Sequence, residues 1–100
     1  MKTYWVYILY CSNHSFYTGY TDDLKKRYQS HVNGTGSKYT RSFKPLSILQ
    51  CWEVSGGKSQ AMKLERLIKK LSRSEKENIV ANPFLMTDEP LIQVGVLPII

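Results

Sequence analysis

Short runs of apolar residues alternate with polar turns over the first part of the chain, and their lengths predict strands before helices. Residues 4–10 are rich in aromatic and β-branched side chains and are too few for a stable helix, which predicts a strand. A polar turn separates them from a second short run, residues 16–20. We therefore expect residues 4–20 to form a β-hairpin.

A helix, a loop and a third strand are predicted next. Thr21 can cap a helix over residues 22–33, which has two acidic residues in its first turn and ends at an Asn-Gly pair. Residues 34–45 contain glycine, serine and lysine and are expected to be a loop. Residues 46–54 alternate in part between apolar and polar and end at Gly-Gly, which predicts a strand.

Two more helices follow in the pattern. Residues 59–72 repeat apolar side chains with the 3.6-residue period of an amphipathic helix. Ser74 and Glu77 have the spacing of a capping box and predict a short helix that ends near Asn82, before a proline. The apolar tail, residues 83–100, contains three prolines and is expected to pack irregularly or as an edge strand.

The predicted order is ββαβα, followed by a short helix and a tail. This order predicts an α+β fold with a three-stranded, mainly antiparallel sheet and helices packed on it. At 100 residues the chain has room for one small domain. We assign that domain to residues 1–82, with residues 83–100 as a tail packed on the domain or at an oligomer interface.

Composition excludes several classes of protein. Hydrophobic residues make up 42% of the chain, enough to build a core, so a disordered chain is not expected. The longest apolar run is far shorter than the roughly 20 residues of a membrane-spanning helix, and the N-terminus does not have the pattern of a signal peptide. Cys11 and Cys51 lie in apolar segments, which favours buried thiols over a disulfide and a reducing cytoplasm as the location.

Positive charge is concentrated in the middle of the chain. Residues 25–73 contain twelve lysines and arginines and only two acidic residues, whereas the remainder is net negative. A polarised basic region favours a polyanionic partner, although charge alone is equally compatible with solvated helix faces. In the predicted loop, Lys38, Tyr39 and Arg41 are candidates for contact with a nucleic acid, and Lys69 lies on the second long helix.

Two tripeptides and three later residues form a more specific pattern. Val6-Tyr7-Ile8 and Tyr17-Thr18-Gly19 lie on the first two strands, Arg27 and His31 lie four apart on the first helix, and Glu65 lies on the second. Together they resemble the GIY-YIG nuclease domain, especially its small stand-alone bacterial members. The resemblance covers about residues 4–77. Val6 stands where the family motif begins with glycine, and Thr18 stands where the motif has an aliphatic residue.

The resemblance implies roles for the hairpin residues. Tyr7 and Tyr17 correspond to the two motif tyrosines, of which Tyr17 is the expected general base, and Gly19 is the closing glycine. A glycine has no Cβ, so a substrate backbone could approach the sheet closely there. Taken alone, the two tyrosines are better explained as cross-strand aromatic partners in a hairpin than as catalytic residues.

The resemblance also implies roles for three helical residues. Arg27 corresponds to the arginine that contacts the scissile phosphate, His31 to the tyrosine-or-histidine position that could relay a proton, and Glu65 to the single carboxylate that holds a divalent metal, Mg²⁺ or Mn²⁺. One carboxylate can suffice because Mg²⁺ commonly keeps waters and substrate phosphate oxygens as ligands. Singly, Glu65 is as well explained by an i,i+4 pair with Lys69. A further polar position of the family is Asn78 or Asn82.

The expected function is therefore metal-dependent hydrolysis of phosphodiester bonds in DNA, as in repair or recombination, with RNA as a possible substrate. Single-stranded, damaged or branched DNA is a more natural substrate for such a small domain than a specific sequence. The alternative is a nucleic-acid-binding module that keeps the fold without catalysis. A third hypothesis is an interaction domain whose apolar tail forms a weak homodimer or recruits a partner protein.

Overall fold

The computed structural model describes residues 2–54 and 56–83, and the backbone of residues 92–95. Its four strands are β1 (Tyr4–Cys11), β2 (Phe16–Thr21), β3 (Pro45–Val54) and β4 (Ile92–Gly95). Its four helices are α1 (Leu24–Val32), α2 (Lys38–Ser42), α3 (Lys58–Lys69) and α4 (Arg73–Ala81).

The strands form one antiparallel sheet in the order β2-β1-β3-β4. The α+β class and the three-stranded antiparallel sheet predicted from the sequence are confirmed by β1, β2 and β3. The tail adds β4 at the edge, which agrees with the edge strand considered for it. The expectation that the tail packs on the domain or at an oligomer interface otherwise concerns residues 84–91 and 96–100, which lie outside the described part.

Two helix starts differ from the predicted ones. The N-cap of α1 is Asp23, whose side chain accepts a hydrogen bond from the backbone N–H of Lys26, and Thr21 Oγ1 instead accepts from the N–H of Asp23. The capping box of α4 is formed by Ser72 and Glu75, two residues earlier than expected. In both places several Ser, Thr or Asp residues lie close together, and the sequence does not indicate which of them is the N-cap.

The loop predicted over residues 34–45 contains a helix. α2 is five residues long and is capped by Ser37, whose side chain accepts from the backbone N–H of Thr40. A helix of one turn is too short to show a hydrophobic period, so the pattern could not indicate it. Its effect is to fix the orientation of side chains that a loop would leave free.

Alternation along β1 creates a core on each face of the sheet. Val6 and Ile8 pack with Trp52 against α3 and α4, and Tyr7 and Leu9 face α1. Trp52 is fully buried, and its indole Nε1–H donates to the backbone oxygen of Pro83 at 3.0 Å. Helices therefore cover both faces of the sheet, α3 and α4 on one face and α1 on the other.

Both cysteines are buried and no disulfide joins them, as the apolar context predicted. Within the described ranges, no helix has the length and apolar character needed to cross a membrane.

Candidate active site

A cleft of about 380 Å³ opens where β2 meets the start of α1 and one face of α3. Five of the residues predicted for the site line it: Tyr7, Tyr17, Gly19, Arg27 and Glu65. Five further residues complete the lining: Tyr4, Tyr20, Thr21, Asp22 and Lys58. Strands and helices far apart in sequence thus bring the motif residues to one place.

The two motif tyrosines differ in their surroundings. Tyr7 is 1% exposed, and its hydroxyl forms a 2.8 Å hydrogen bond with Nε2 of His31. Tyr17 is half-buried, and its ring makes an edge contact with the His31 imidazole at 5.2 Å between centroids. Tyr17 is therefore the more accessible of the two motif tyrosines.

His31 lies behind the cleft rather than in its lining. It is fully buried, and its Nδ1 forms a 2.7 Å hydrogen bond with Oγ1 of Thr40 on α2. Thr40 is also fully buried, and its hydroxyl contacts that of Ser37 at 2.9 Å. A chain of hydrogen bonds thus runs from the Tyr7 hydroxyl, at the cleft, through His31 and Thr40 to the beginning of α2.

Burial sets the protonation states of this pair. It raises the pKa of Tyr7 to about 12; Tyr17 and Glu65 also raise it, whereas Arg27 opposes the shift. Burial, together with the positive charge of Arg27, lowers the pKa of His31 to about 4. At neutral pH we therefore expect a protonated Tyr7 beside an uncharged His31.

The low pKa of His31 predicts a loss of stability in acid. Between pH 6.5 and 4 the unfolded chain binds a proton at this histidine that the folded chain excludes, so the free energy of unfolding falls as pH falls. From this residue alone the decrease should reach about 3 kcal/mol at pH 4. NMR titration of the His31 ring protons should give a midpoint near 4, and a midpoint near 6.5 would contradict the prediction.

Two glycines leave room for the buried pair. In the β1–β2 register Gly19 lies opposite Tyr7, and a Cβ at Gly19 would lie 2.5 Å from the Tyr7 hydroxyl oxygen. A Cβ at Gly36 would lie 2.6 Å from Nδ1 of His31. The structure thus gives Gly19 a packing role, in addition to the close approach of substrate that the sequence led us to expect there.

Glu65 and Arg27 bring one negative and one positive charge to the cleft, as the sequence led us to expect. The Glu65 side chain is 16% exposed and pairs with Nζ of Lys69 at 3.5 Å, so it both lines the cleft and makes the i,i+4 pair. Asp22, the other carboxylate of the lining, forms a 2.8 Å ion pair with Lys2. Within the described residues no group of three His, Cys, Asp or Glu side chains could hold a metal.

Four of the predicted nucleic-acid contacts lie outside the cleft, whereas Gly19 lines it. Lys38, Tyr39 and Arg41 are exposed on α2, and Lys69 is exposed on α3. The Tyr39 ring stacks on that of Tyr17, with 5.7 Å between centroids and 22° between planes. The α2 residues therefore border the site rather than line it.

Other residues of the site were not found from the sequence. Lys58 is brought to the cleft because α3 begins there, and Thr40 is buried only because α2 is helical. The spacing of seven residues between Lys58 and Glu65, two helical turns, was the available signal for the former. Asn78 and Asn82 do not line the cleft; the Asn82 amide donates to that of Asn78 at 3.5 Å.

Comparison with known proteins identifies this arrangement. Residues 3–78 match the family model of the GIY-YIG catalytic domain. The chain belongs to the GIY-YIG family. The family has a nuclease fold, acts on nucleic acids and generally uses a divalent metal ion.

Individual relatives are similar to this chain over most of their own length. UPF0213 protein BH0048 of Halalkalibacterium halodurans is 42% identical over 78 residues, which cover 78% of this chain and 82% of the relative. A UPF0213 protein of Halobacterium salinarum is 46% identical over 72 residues, covering 72% and 92%. The solution NMR structure of BH0048 from Bacillus halodurans matches with a TM-score of 0.52 at 39% identity, covering 86% of this chain and 94% of that one.

The donor set of the cleft fits a divalent ion of the kind that the family uses. Glu65 offers one carboxylate in a largely shielded position, in a cleft with space for phosphate oxygens and water. Mg²⁺ is usually bound through one or two carboxylates together with such ligands, so a cluster of three protein ligands is not required.

Proposed function

We propose that the protein is a metal-dependent endonuclease that hydrolyses phosphodiester bonds in DNA and selects its substrate by structure rather than by sequence. The observation that best supports the proposal is the single cleft in which Tyr17, Arg27 and Glu65 meet. A tyrosine, an arginine and a carboxylate around a shared space offer a proton acceptor, a phosphate ligand and a metal ligand.

In this proposal Glu65 would hold one Mg²⁺ or Mn²⁺ ion together with the substrate. Such an ion polarises phosphoryl oxygens and stabilises the leaving oxygen. The Glu65–Lys69 pair would keep the carboxylate directed along α3 before the ion binds. With one protein carboxylate, affinity for metal should be weak until DNA supplies its phosphate oxygens.

Arg27 and Lys58 would bind the scissile phosphate. A guanidinium is planar, permanently charged and able to donate two parallel hydrogen bonds to phosphate oxygens. Lys58 adds a second positive charge to the same lining. Negative charge gathers on the phosphoryl oxygens as water attacks, and fixed positive charge stabilises it.

Tyr17, as the phenolate, would accept the proton of the attacking water. Tyr7 is less suited to that role, because its pKa of about 12 and its bond to His31 keep it protonated. Tyr7 and His31 would instead hold the β1–β2 edge in place beside Tyr17. The oxygen of the water would then form the new P–O bond as the bond to the leaving oxygen breaks, and the leaving oxygen would take a proton from solvent.

Cleavage of labelled DNA tests the proposal. Single-stranded, duplex and branched DNA, and RNA of the same sequence, are each incubated with Mg²⁺, Mn²⁺ or EDTA. We expect internal cleavage with either metal, none with EDTA, and unequal rates among the four substrates. A Glu65→Gln protein prepared in parallel distinguishes the protein's own activity from a contaminating nuclease.

Three outcomes would overturn the proposal. Cleavage that persists in EDTA, or that is equal in the Glu65→Gln preparation, would not come from this site. Binding of DNA without cleavage under any condition would favour the non-catalytic binding module. A preference for RNA would correct the substrate while leaving the reaction.

A further inference from the structure

An aromatic ladder leads away from the cleft across α2. It consists of Tyr17, Tyr39 and Phe43: Tyr39 stacks on Tyr17, and the Phe43 ring lies 5.3 Å from Tyr39 at an angle of 53°. Tyr39 and Phe43 are each 37% exposed. Among the described residues neither ring belongs to, or packs against, the two core clusters.

The middle ring of the ladder is held in position from two sides. The Tyr39 hydroxyl accepts a 3.0 Å hydrogen bond from Nδ2 of Asn13 and forms another with the Ser15 hydroxyl. From below, the buried Thr40 ties α2 to His31. An exposed ring that is fixed in this way loses little conformational entropy when a flat ligand stacks on it.

The charge around the ladder is positive. Lys38 and Arg41 lie on α2 beside Tyr39, Lys44 follows Phe43, and all three are exposed. Aromatic faces beside backbone-neutralising cations are the combination that binds single-stranded nucleic acid, because bases offer π-faces and phosphates offer charge. Within a duplex the base faces are stacked on one another and are not available.

We propose that the aromatic ladder stacks unpaired nucleobases and thereby directs single-stranded or locally melted DNA into the cleft. This inference rests on the nucleic-acid substrate of the proposed function and names its class. Because Tyr17 is both the first ring of the ladder and part of the cleft lining, a strand bound along the ladder would reach the cleft directly.

Comparing the binding of a strand that has bases with that of a strand that lacks them separates base stacking from phosphate contact. The full-length protein is titrated in EDTA, where nothing is cut, with a labelled oligothymidylate and with an abasic oligomer of equal length and charge. Fluorescence anisotropy gives both dissociation constants. We expect about tenfold tighter binding of the oligothymidylate, and a hairpin duplex should bind more weakly than the oligothymidylate.

Variants assign the preference to the ladder. Phe43→Leu should reduce the preference for bases at least threefold, whereas Phe43→Trp should retain it. Lys38→Gln should weaken both oligomers alike, since it removes only a charge. Leu67→Ala, which truncates an apolar side chain 46% exposed on α3, is the control and should change neither constant. Circular dichroism confirms that each variant is folded.

The inference is overturned if the wild-type protein binds both oligomers equally or not at all, or if Phe43→Leu leaves the preference unchanged. These results are distinguishable from failure of the proposed nuclease. A retained binding preference without cleavage in Mg²⁺ would refute only the nuclease, and cleavage without the binding preference would refute only the ladder.

Discussion

Replacing Glu65 by glutamine should reduce metal-dependent cleavage at least a thousandfold. Glutamine keeps the size and the oxygen but removes the negative charge, and Mg²⁺ binds a neutral amide oxygen much more weakly than a carboxylate. Asp22 is not expected to substitute, because Lys2 already neutralises it. Loss of the ion's charge at the phosphate accounts for an effect of this size, about 4 kcal/mol in the activation free energy. Single-turnover cleavage at saturating Mg²⁺ measures it.

Glu77→Gln is the matched control. Glu77 pairs with Arg73 at i,i+4 on α4, as Glu65 pairs with Lys69 on α3, but it lies outside the cleft. Exposed pairs of this type contribute only about 0.3–0.5 kcal/mol to stability, so cleavage by Glu77→Gln should stay within about threefold of wild type. If both variants lost activity equally, the effect would come from helix surface charge and Glu65 would not be a metal ligand.

Gly19→Ala should reduce cleavage about a hundredfold and lower the free energy of unfolding by about 1–3 kcal/mol. The added Cβ would lie 2.5 Å from the oxygen and 2.7 Å from Cζ of Tyr7, far inside van der Waals contact. The Tyr7 ring cannot simply rotate away, because it is buried and its hydroxyl is bonded to His31. We expect the substitution to displace the edge of the cleft on which Tyr17 lies. Urea denaturation and single-turnover cleavage measure the two effects.

Gly34→Ala separates the loss of stability from the loss of activity. Gly34 has φ of 81°, where alanine is strained, but a Cβ there would meet only Cγ of Arg41 at an ordinary 3.6 Å. This variant should lose about 1 kcal/mol of stability and cleave within about threefold of wild type. Equal loss of cleavage in the two variants, or normal cleavage by Gly19→Ala, would contradict the steric argument.

The fold was largely predictable because its elements are long enough to show a period. The three main strands and the helices α1, α3 and α4 were all predicted, with ends shifted by a few residues at most. α2 has a single turn and no period, so it was missed. The missed helix matters for the proposed function, because it buries Thr40 against His31 and presents Tyr39 and Phe43 at the surface.

Within the candidate site, the residue types were predictable and their contacts were not. Tyr7 faces Gly19, whereas Tyr17 faces Leu9, and this register depends on the turn between the strands rather than on the hydrophobic pattern. His31 was predicted only to lie four residues after Arg27 on the first helix, whereas it is fully buried, with hydrogen bonds from its two ring nitrogens to Tyr7 and Thr40. Whether both ring nitrogens of a buried histidine find hydrogen-bond partners depends on tertiary packing between elements far apart in sequence.

Arg73 has a consequence for the order in which the chain folds. Its Nη1 donates to the backbone oxygen of His14 at 2.8 Å, and its guanidinium lies 3.8 Å from the centroid of the Phe16 ring. These contacts join residues almost sixty positions apart, and closing so long a loop costs more entropy than forming the hairpin itself. The hairpin that carries both motif tyrosines can therefore form early from local contacts. We therefore expect α4 to dock onto the preformed hairpin late in folding, with the Arg73 contacts among the last to form.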